Sequence, residues 1–334
     1  ALISALLSVT ASAERRVCFS RGHGEADFTS FDDAGYGLIA REIRRAGYRV
    51  QGVAPNELAA AARGCHVVVI GGPQRRFAEL ELDGLTRYLR RGGRLLLLVG
   101  PVLDRGVTRY RKTGLEESLR RFGVALPENI VVDPLSIPGE RALLTWGTRA
   151  GYNGGHALSR LLAGKLTIWR LAREVRPLSR EQAWRAGCRA CADARAFEAS
   201  WLVRSSGQGW AESDLASLRG ARPLRFDGAV DSRGPVPVAV AARVGAARLV
   251  VLGSERAVLN KRLTDADYSR DLVVNAVEWL AGADTRVAIG PRRPVHVRLS
   301  LDARQVSRVF LLSVVVLPAL ALAGALLTWW RRRR

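Results

Sequence analysis

The chain has 334 residues, 48% of them hydrophobic, and its 52 Lys and Arg against 31 Asp and Glu give a formal net charge of +21. That length and apolar fraction exclude a disordered chain and a small disulfide-built scaffold, and leave room for one large or two modest domains. The basic residues are almost all Arg and are spread along the sequence with no nucleic-acid-binding motif, so nucleic acid ranks below lipid headgroups, acidic polymers or an acidic protein as the anionic partner.

Residues 1–13, ALISALLSVTASA, are apolar, end in Ala11-Ser12-Ala13 and are followed by Glu14-Arg15-Arg16. This pattern fits the end of a signal peptide or of a first transmembrane helix better than an ordinary buried helix. Residues 17–20 read as a strand, followed by the loop Arg21-Gly22-His23-Gly24-Glu25. A helix is predicted over 32–46, with Ser30 as cap, Gly47 as stop and Tyr36, Ile39, Ala40 and Ile43 on one face. Strands follow at 48–53 and 66–70, the second an unbroken apolar run of the kind that parallel sheets bury on both faces. Gly71-Gly72-Pro73 closes it. A helix over 78–91, Gly92-Gly93, a strand over 94–99 and Gly100-Pro101 complete a β-α-β-α alternation, the pattern of a parallel α/β sheet.

The segment 126–235 is less regular, with strands expected at 129–132 and 200–204 and a helix at 155–163. The α/β pattern returns over 236–282, with strands at 236–242 and 248–252 and a helix at 270–280 that packs through Leu272, Val273, Ala276 and Leu280. The expected organisation is therefore an α/β first part over 14–125, an irregular insertion or second subdomain over 126–235, a return to the sheet over 236–282, and an Arg- and Pro-bearing connector over 283–308. Residues 309–330 carry no charge, enough for a transmembrane helix of about 33 Å against a hydrocarbon core of about 30 Å. Trp329 and Trp330 sit where an aromatic belt lies, and 331–334 is a cytoplasmic Arg tail. Arg292, Arg293, Arg298, Arg304 and Arg308 make the other flank almost as basic, so orientation rests equally on the N-terminal stretch and the large domain. Ala319, Ala321, Ala323, Gly324 and Ala325 would let this helix pack closely on others, although a plain lipid-facing anchor explains them equally well.

In an open parallel sheet, ligands sit outside the carboxyl ends of the strands. The candidate ligand- or partner-binding residues there are His23, Glu25, Gly71, Gly72, Pro73, Gly253 and Ser254. His23 and Glu25 would serve an enzyme as base and orienting carboxylate, but no Ser, Cys or Thr stands in a strained nucleophile elbow. A polar loop or partner-binding rim is therefore favoured over catalysis, and His23→Ala is expected to leave the fold intact. Nucleotide motifs fail: the run from Gly22 to Asp27 starts like G-x-G-x-x-G and ends in Asp, and Gly164-Lys165 lacks the rest of a phosphate loop. Neither a cofactor nor a metal site is expected, since Cys188-Arg-Ala-Cys191 has no second pair with which to complete a zinc site, and a local disulfide outranks two free thiols there. For Cys18 and Cys65, buried free thiols are expected. Trp146, Trp169, Trp184, Trp201 and Trp210 would suit a polymer-binding module if several shared an exposed face; core positions are the commoner case.

Several of these segments together resemble a known family. Phe19-Ser20-Arg21-Gly22-His23-Gly24-Glu25 resembles the opening of the GldG-like auxiliary proteins of ABC-type transport systems. Residues 67–73 with Phe77-Ala78-Glu79-Leu80-Glu81, residues 85–98 around Gly92-Gly93-Arg94, residues 152–156, Ser200-Trp201-Leu202 with Trp210-Ala211-Glu212, 248–254, and 270–280 resemble further family segments in similar order. The resemblance implies a non-catalytic membrane-anchored subunit beside an ABC permease and its ATPase. Its domain would be flavodoxin-like or similar to class I glutamine amidotransferases, without a working nucleophile. It implies the bacterial inner membrane, through one C-terminal span or two spans, with the main domain extracytoplasmic. Membrane lipid and an anionic substrate or polymer are further expected partners. The rival readings are an extracytoplasmic hydrolase or amidotransferase-like enzyme using His23 and Glu25, and a surface-polymer-binding module. Gliding motility, associated with the best-known relatives, does not follow from these residues.

Overall fold

A computed structural model describes residues 15–57, 60, 64–134, 144–146, 151–219, 224–263, 268–282 and 311–333. The expected N-terminal stretch 1–13 and the connector 283–308 lie outside the described residues. The chain divides into two compact units, Ala1–Arg293 and Pro294–Arg334.

The first unit is a mixed α/β structure around a mostly parallel sheet. Its main elements in chain order are β1 (Arg16–Ser20), α1 (Gly37–Arg45), β2 (Arg49–Val53), β3 (Val67–Gly71), α2 (Glu79–Arg90), β4 (Arg94–Leu98), α3 (Leu115–Arg120), β5 (Phe197–Arg204), β6 (Pro237–Val244), β7 (Ala247–Leu252) and α4 (Ser269–Leu280). The seven strands pair in the order β5-β6-β7-β4-β3-β1-β2. β2, β1, β3, β4 and β7 run parallel, whereas β6 is antiparallel to both its neighbours. The apolar run at 236–242 thus belongs to a strand joined to β7 by a tight turn, the connection available to antiparallel neighbours.

Two cores sandwich the sheet, and alternation along each strand assigns its side chains to one or the other. Val17, Phe19, Val67, Val69, Leu96 and Leu98 meet α1 and α4, which contribute Ile39, Ala40, Ile43, Leu272, Val273 and Ala276. Cys18, Val68, Ile70, Leu95 and Leu97 meet Leu85, Tyr88 and Leu89 of α2 and Leu115 and Leu119 of α3. Each such buried aliphatic contributes on the order of 1.5–3 kcal/mol, which explains why β3 and β4 read as unbroken apolar runs.

α1 begins at Gly37, five residues later than the sequence pattern suggests. Residues before it are held in a loop by side-chain bonds from afar. The Asn260 amide donates to the carbonyls of Ser30 and Asp32, at 2.9 and 2.7 Å, and its Oδ1 accepts from the Leu38 N–H. A Cβ at Gly35 or Gly37 would overlap the Ser30 carbonyl, so both positions require glycine. The helix expected at 155–163 shortens to Ala157–Arg160, capped by His156 Nδ1, which accepts from the Leu158 N–H.

Cys18 and Cys65, expected as free thiols, form a disulfide across 47 residues, and Cys188 pairs with Cys191. The Cα atoms of the first pair stand 5.8 Å apart, inside the span a disulfide bridges. Their partnership depends on β1 and β3 becoming neighbours, which spacing along the chain does not reveal.

In the second unit, residues 311–333 are helical in two parts. Leu311–Val316 is π-helical, and α5 (Leu317–Arg333) is α-helical and ends in three arginines. Among the described residues no helix is long and apolar enough to cross a membrane. The single apolar helix expected over 309–330 is interrupted where Pro318 lacks the N–H that regular α-helical bonding needs. Leu311, Val314, Leu317, Leu320, Leu322, Leu327, Trp329 and Trp330 are exposed.

Candidate functional site

The order β2-β1-β3 makes the boundary between β1 and β3 the switch point of the sheet, since the chain goes from β1 outward to β2 and then crosses back to β3. The loop after β1 occupies that boundary. The carbonyl of His23 accepts from the N–H groups of Gln74 and Arg75, at 2.7 and 3.0 Å, and the Ala26 N–H donates to Gly71. These bonds stitch the two strand-end loops together and close the crevice from below.

His23 and Glu25 point their polar atoms to different partners. His23 is 8% exposed, and its ring stacks on Phe77 with centroids 3.9 Å apart. Its Nε2 faces Glu81 at 3.1 Å, whose carboxylate also accepts from the Ala78 N–H at the start of α2. Glu25 accepts from the Ser20 hydroxyl at 2.8 Å and from the His23 backbone N–H at 2.6 Å. The pair therefore pins the loop, His23 to α2 and Glu25 back onto β1.

Above the loop lies a cleft of about 620 Å³, lined by Glu25, Asp27, Asp32 and Glu255, with Gly72, Arg256 and Lys261 among its other walls. Carboxylates outnumber cations here although the chain as a whole is strongly basic. Hydrogen bonds from the backbone N–H and the hydroxyl of Thr29 hold the Asp27 carboxyl below its usual range. Glu255 accepts from Arg256 Nε at 3.3 Å. Its carboxylate lies against the backbone after β4, where a Cβ at Gly100 would overlap it, and its carbonyl accepts from the Tyr36 hydroxyl at 2.6 Å. Burial, reinforced by the nearby Glu255 charge, pushes that hydroxyl well above the ordinary phenol range.

The other residues singled out from the sequence divide. Gly72 lines the cleft with φ +72°, whereas Gly71 is covered by the Tyr36 ring and Pro73 is buried. Gly253 and Ser254 serve the fold: Gly253 accepts from the Arg173 N–H, and the fully buried Ser254 hydroxyl donates to the Arg170 carbonyl at 2.6 Å. Glu255, Asp27, Asp32 and Asn260 escaped sequence reasoning. The available signal was Gly100, a glycine at a strand end where another group approaches closely. Among the described residues these tryptophans form no common exposed face: Trp169 and Trp210 are buried, Trp201 is half-buried and Trp184 is exposed, while the side chain of Trp146 lies outside the described residues. Among the described residues, no three His, Cys, Asp or Glu side chains are grouped to hold a metal.

The fold is similar to that of the mmIFT52 N-terminal domain, at TM-score 0.54 and 15% identity over 83% of this chain and all of that domain. Weaker likenesses include cytoplasmic protein STM1381 of Salmonella typhimurium LT2, at TM-score 0.48 and 9% identity over 80% of this chain and 99% of that one. A ThuA-like protein of Bacteroides uniformis reaches 0.45 and 12% over 81% and 93%. At these identities the first shows the fold alone. None of the curated proteins matches. Residues 14–139, which carry β1 to β4 and both lips of the switch point, match the model of a family described as an ABC-type uncharacterized transport system. The match covers less than half of the chain and is to that broader auxiliary family, not to its GldG-like branch.

Proposed function

We propose that this chain is a non-catalytic, membrane-anchored accessory subunit of an ABC-type transport system. The family match over residues 14–139 is the observation that carries this reading. In it, the α/β unit contacts the permease of a permease–ATPase complex, and the strand-end cleft holds a substrate or a segment of a partner. The anchor is the helical stretch 311–333, whose exposed leucines and paired tryptophans favour an apolar surrounding. An extracytoplasmic setting is supported by two disulfides that link all four cysteines, since disulfides persist in oxidising compartments.

The absence of a catalytic role is supported by geometry. A general base needs a reacting group within hydrogen-bond reach, and His23 has Nε2 on Glu81 and a buried Nδ1 with no hydrogen-bonding neighbour, while Glu25 is engaged by Ser20 and the loop backbone. The test is affinity purification of the full chain from native membranes in mild detergent. The reading expects an ABC permease and an ATPase in amounts matching the bait. Recovery of the chain from intact membranes without either protein would contradict it.

A further inference from the structure

The amino ends of the parallel strands carry a rim of arginine. β1, β2 and β4 begin on Arg16, Arg49 and Arg94, and β7 has Arg248 as its second residue. Strand register sets Arg16 beside Arg49 and Arg94 beside Arg248. The helices run back to the same edge and finish on more arginine, Arg44 and Arg45 in the last turn of α1 and Arg90 and Arg91 at the end of α2. Arg44, Arg45, Arg49, Arg90 and Arg91 are exposed. The rim's field reaches His66, just before β3, where burial and then Arg94, Arg15 and Arg16 lower the imidazole pKa. The acids that the ends of α1 and α4 bring to this edge are Glu42, which pairs with Arg45 at 2.8 Å, and Glu278.

This edge is also where the α/β unit joins its apolar neighbours in the sequence. Residue 15 leads into β1 from the apolar stretch 1–13. At the other end of the unit, α4 returns to the rim. Its Trp279 carbonyl accepts from Arg248 Nη1 at 2.8 Å, and Gly282 lies beside the Arg94 guanidinium. In the sequence, the exposed apolar helix of 311–333 follows this unit.

We propose that the arginine rim is a docking face for the anionic phospholipid headgroups of the membrane, an inference that rests on the anchored reading above. Guanidinium groups present a planar fork of donors suited to phosphate oxygens. Each one held near an anionic surface improves partitioning about fivefold. The carboxylate-lined cleft lies at the opposite end of the same strands, so a rim seated on lipid leaves the cleft facing away from the bilayer and open to a ligand.

The test uses the full chain in nanodiscs of phosphatidylcholine alone or with added phosphatidylglycerol, followed by amide hydrogen exchange. The proposal expects exchange over residues 44–50 and 90–95 to slow only in the phosphatidylglycerol discs. The combined variant Arg44→Gln, Arg45→Gln, Arg90→Gln, Arg91→Gln should lose that slowing. Unchanged exchange over 22–27 would show that this variant is folded. Entry into discs with the same rim exchange in both lipids would overturn the proposal. Equal slowing on neutral discs with soluble polyphosphate added would overturn the lipid assignment in favour of a soluble polyanion. Failure to enter either disc would end the anchored reading instead. Co-sedimentation with preformed phosphatidylglycerol vesicles would then sustain the rim, and its absence would end it.

Discussion

Gly100 leaves no room for a side chain because the Glu255 carboxylate occupies the place where a Cβ would stand. Gly100→Ala should therefore destabilise the protein by about 1–3 kcal/mol, the usual cost of forcing extra volume into a packed site. Glu255→Ala should absorb part of that loss. In urea unfolding the two substitutions should couple by about 0.5–3 kcal/mol, whereas strict additivity would place the carboxylate elsewhere. His23 is a binding candidate that also carries packing. Its sequence context, a polar loop at a strand end, marked it as a binding candidate whose removal leaves the fold intact. Stacked on Phe77 and held by Glu81, it should instead cost about 1–3 kcal/mol when changed to Ala, again read from urea midpoints. Glu255 and Asn260 were invisible for the opposite reason. Their roles come from contacts with residues more than 150 positions away, and nothing local to either announces a partner.

At the scale of elements, β1 to β4 with α1 and α2 were readable because apolar runs mark the strands and helical spacing the helices, and β1, α1, β3, α2 and β4 end on or just before a glycine. Gly93 at the turn before β4 lies under the Tyr88 ring, and the Tyr88 hydroxyl donates to the Arg94 carbonyl and accepts from its N–H, both at 2.9 Å. Burial pushes this hydroxyl up to about 12 from an ordinary 10.0. The folded pKa is raised, so this contribution is complete below pH 10 and is lost as pH rises from 10 toward 12. Wild-type stability should fall by up to about 2–3 kcal/mol more than that of Tyr88→Phe across this window, measured by chemical denaturation at each pH. Equal pH slopes would remove Tyr88 from the account. The cysteines were only half legible: the local pair follows from its spacing, the pair across 47 residues only from strand order. By loop-closure entropy the longer loop matters more, about 4 kcal/mol against about 2 for Cys188–Cys191. Cys18→Ala with Cys65→Ala should accordingly lower the urea midpoint more than Cys188→Ala with Cys191→Ala. The middle of the chain was hardest to read because its strands are short and pair across long gaps, as Ile130–Val132 does with Trp210–Glu212.

At the scale of the molecule, composition reported a large positive charge and concealed its arrangement. Folding gathers Glu25, Asp27, Asp32 and Glu255 at one end of the strands and Arg16, Arg49, Arg94 and Arg248 at the other. Hydropathy marked residues 309–330 as one apolar helix, whereas the described stretch is π-helical over Leu311–Val316 and α-helical over Leu317–Arg333, with Pro318 in the first turn of the latter. If that stretch is the anchor, removing residues 311–333 should move the chain from the pellet to the supernatant when membranes are extracted at alkaline pH. A truncated chain that stays in the pellet would assign membrane attachment to another segment. An accessory role beside an ABC transporter should register in ATP hydrolysis by proteoliposomes. The permease and ATPase that purify with this chain would be reconstituted with and without it. The two should hydrolyse ATP on their own and change rate when the chain is added; a rate identical with and without it would rule out the accessory role.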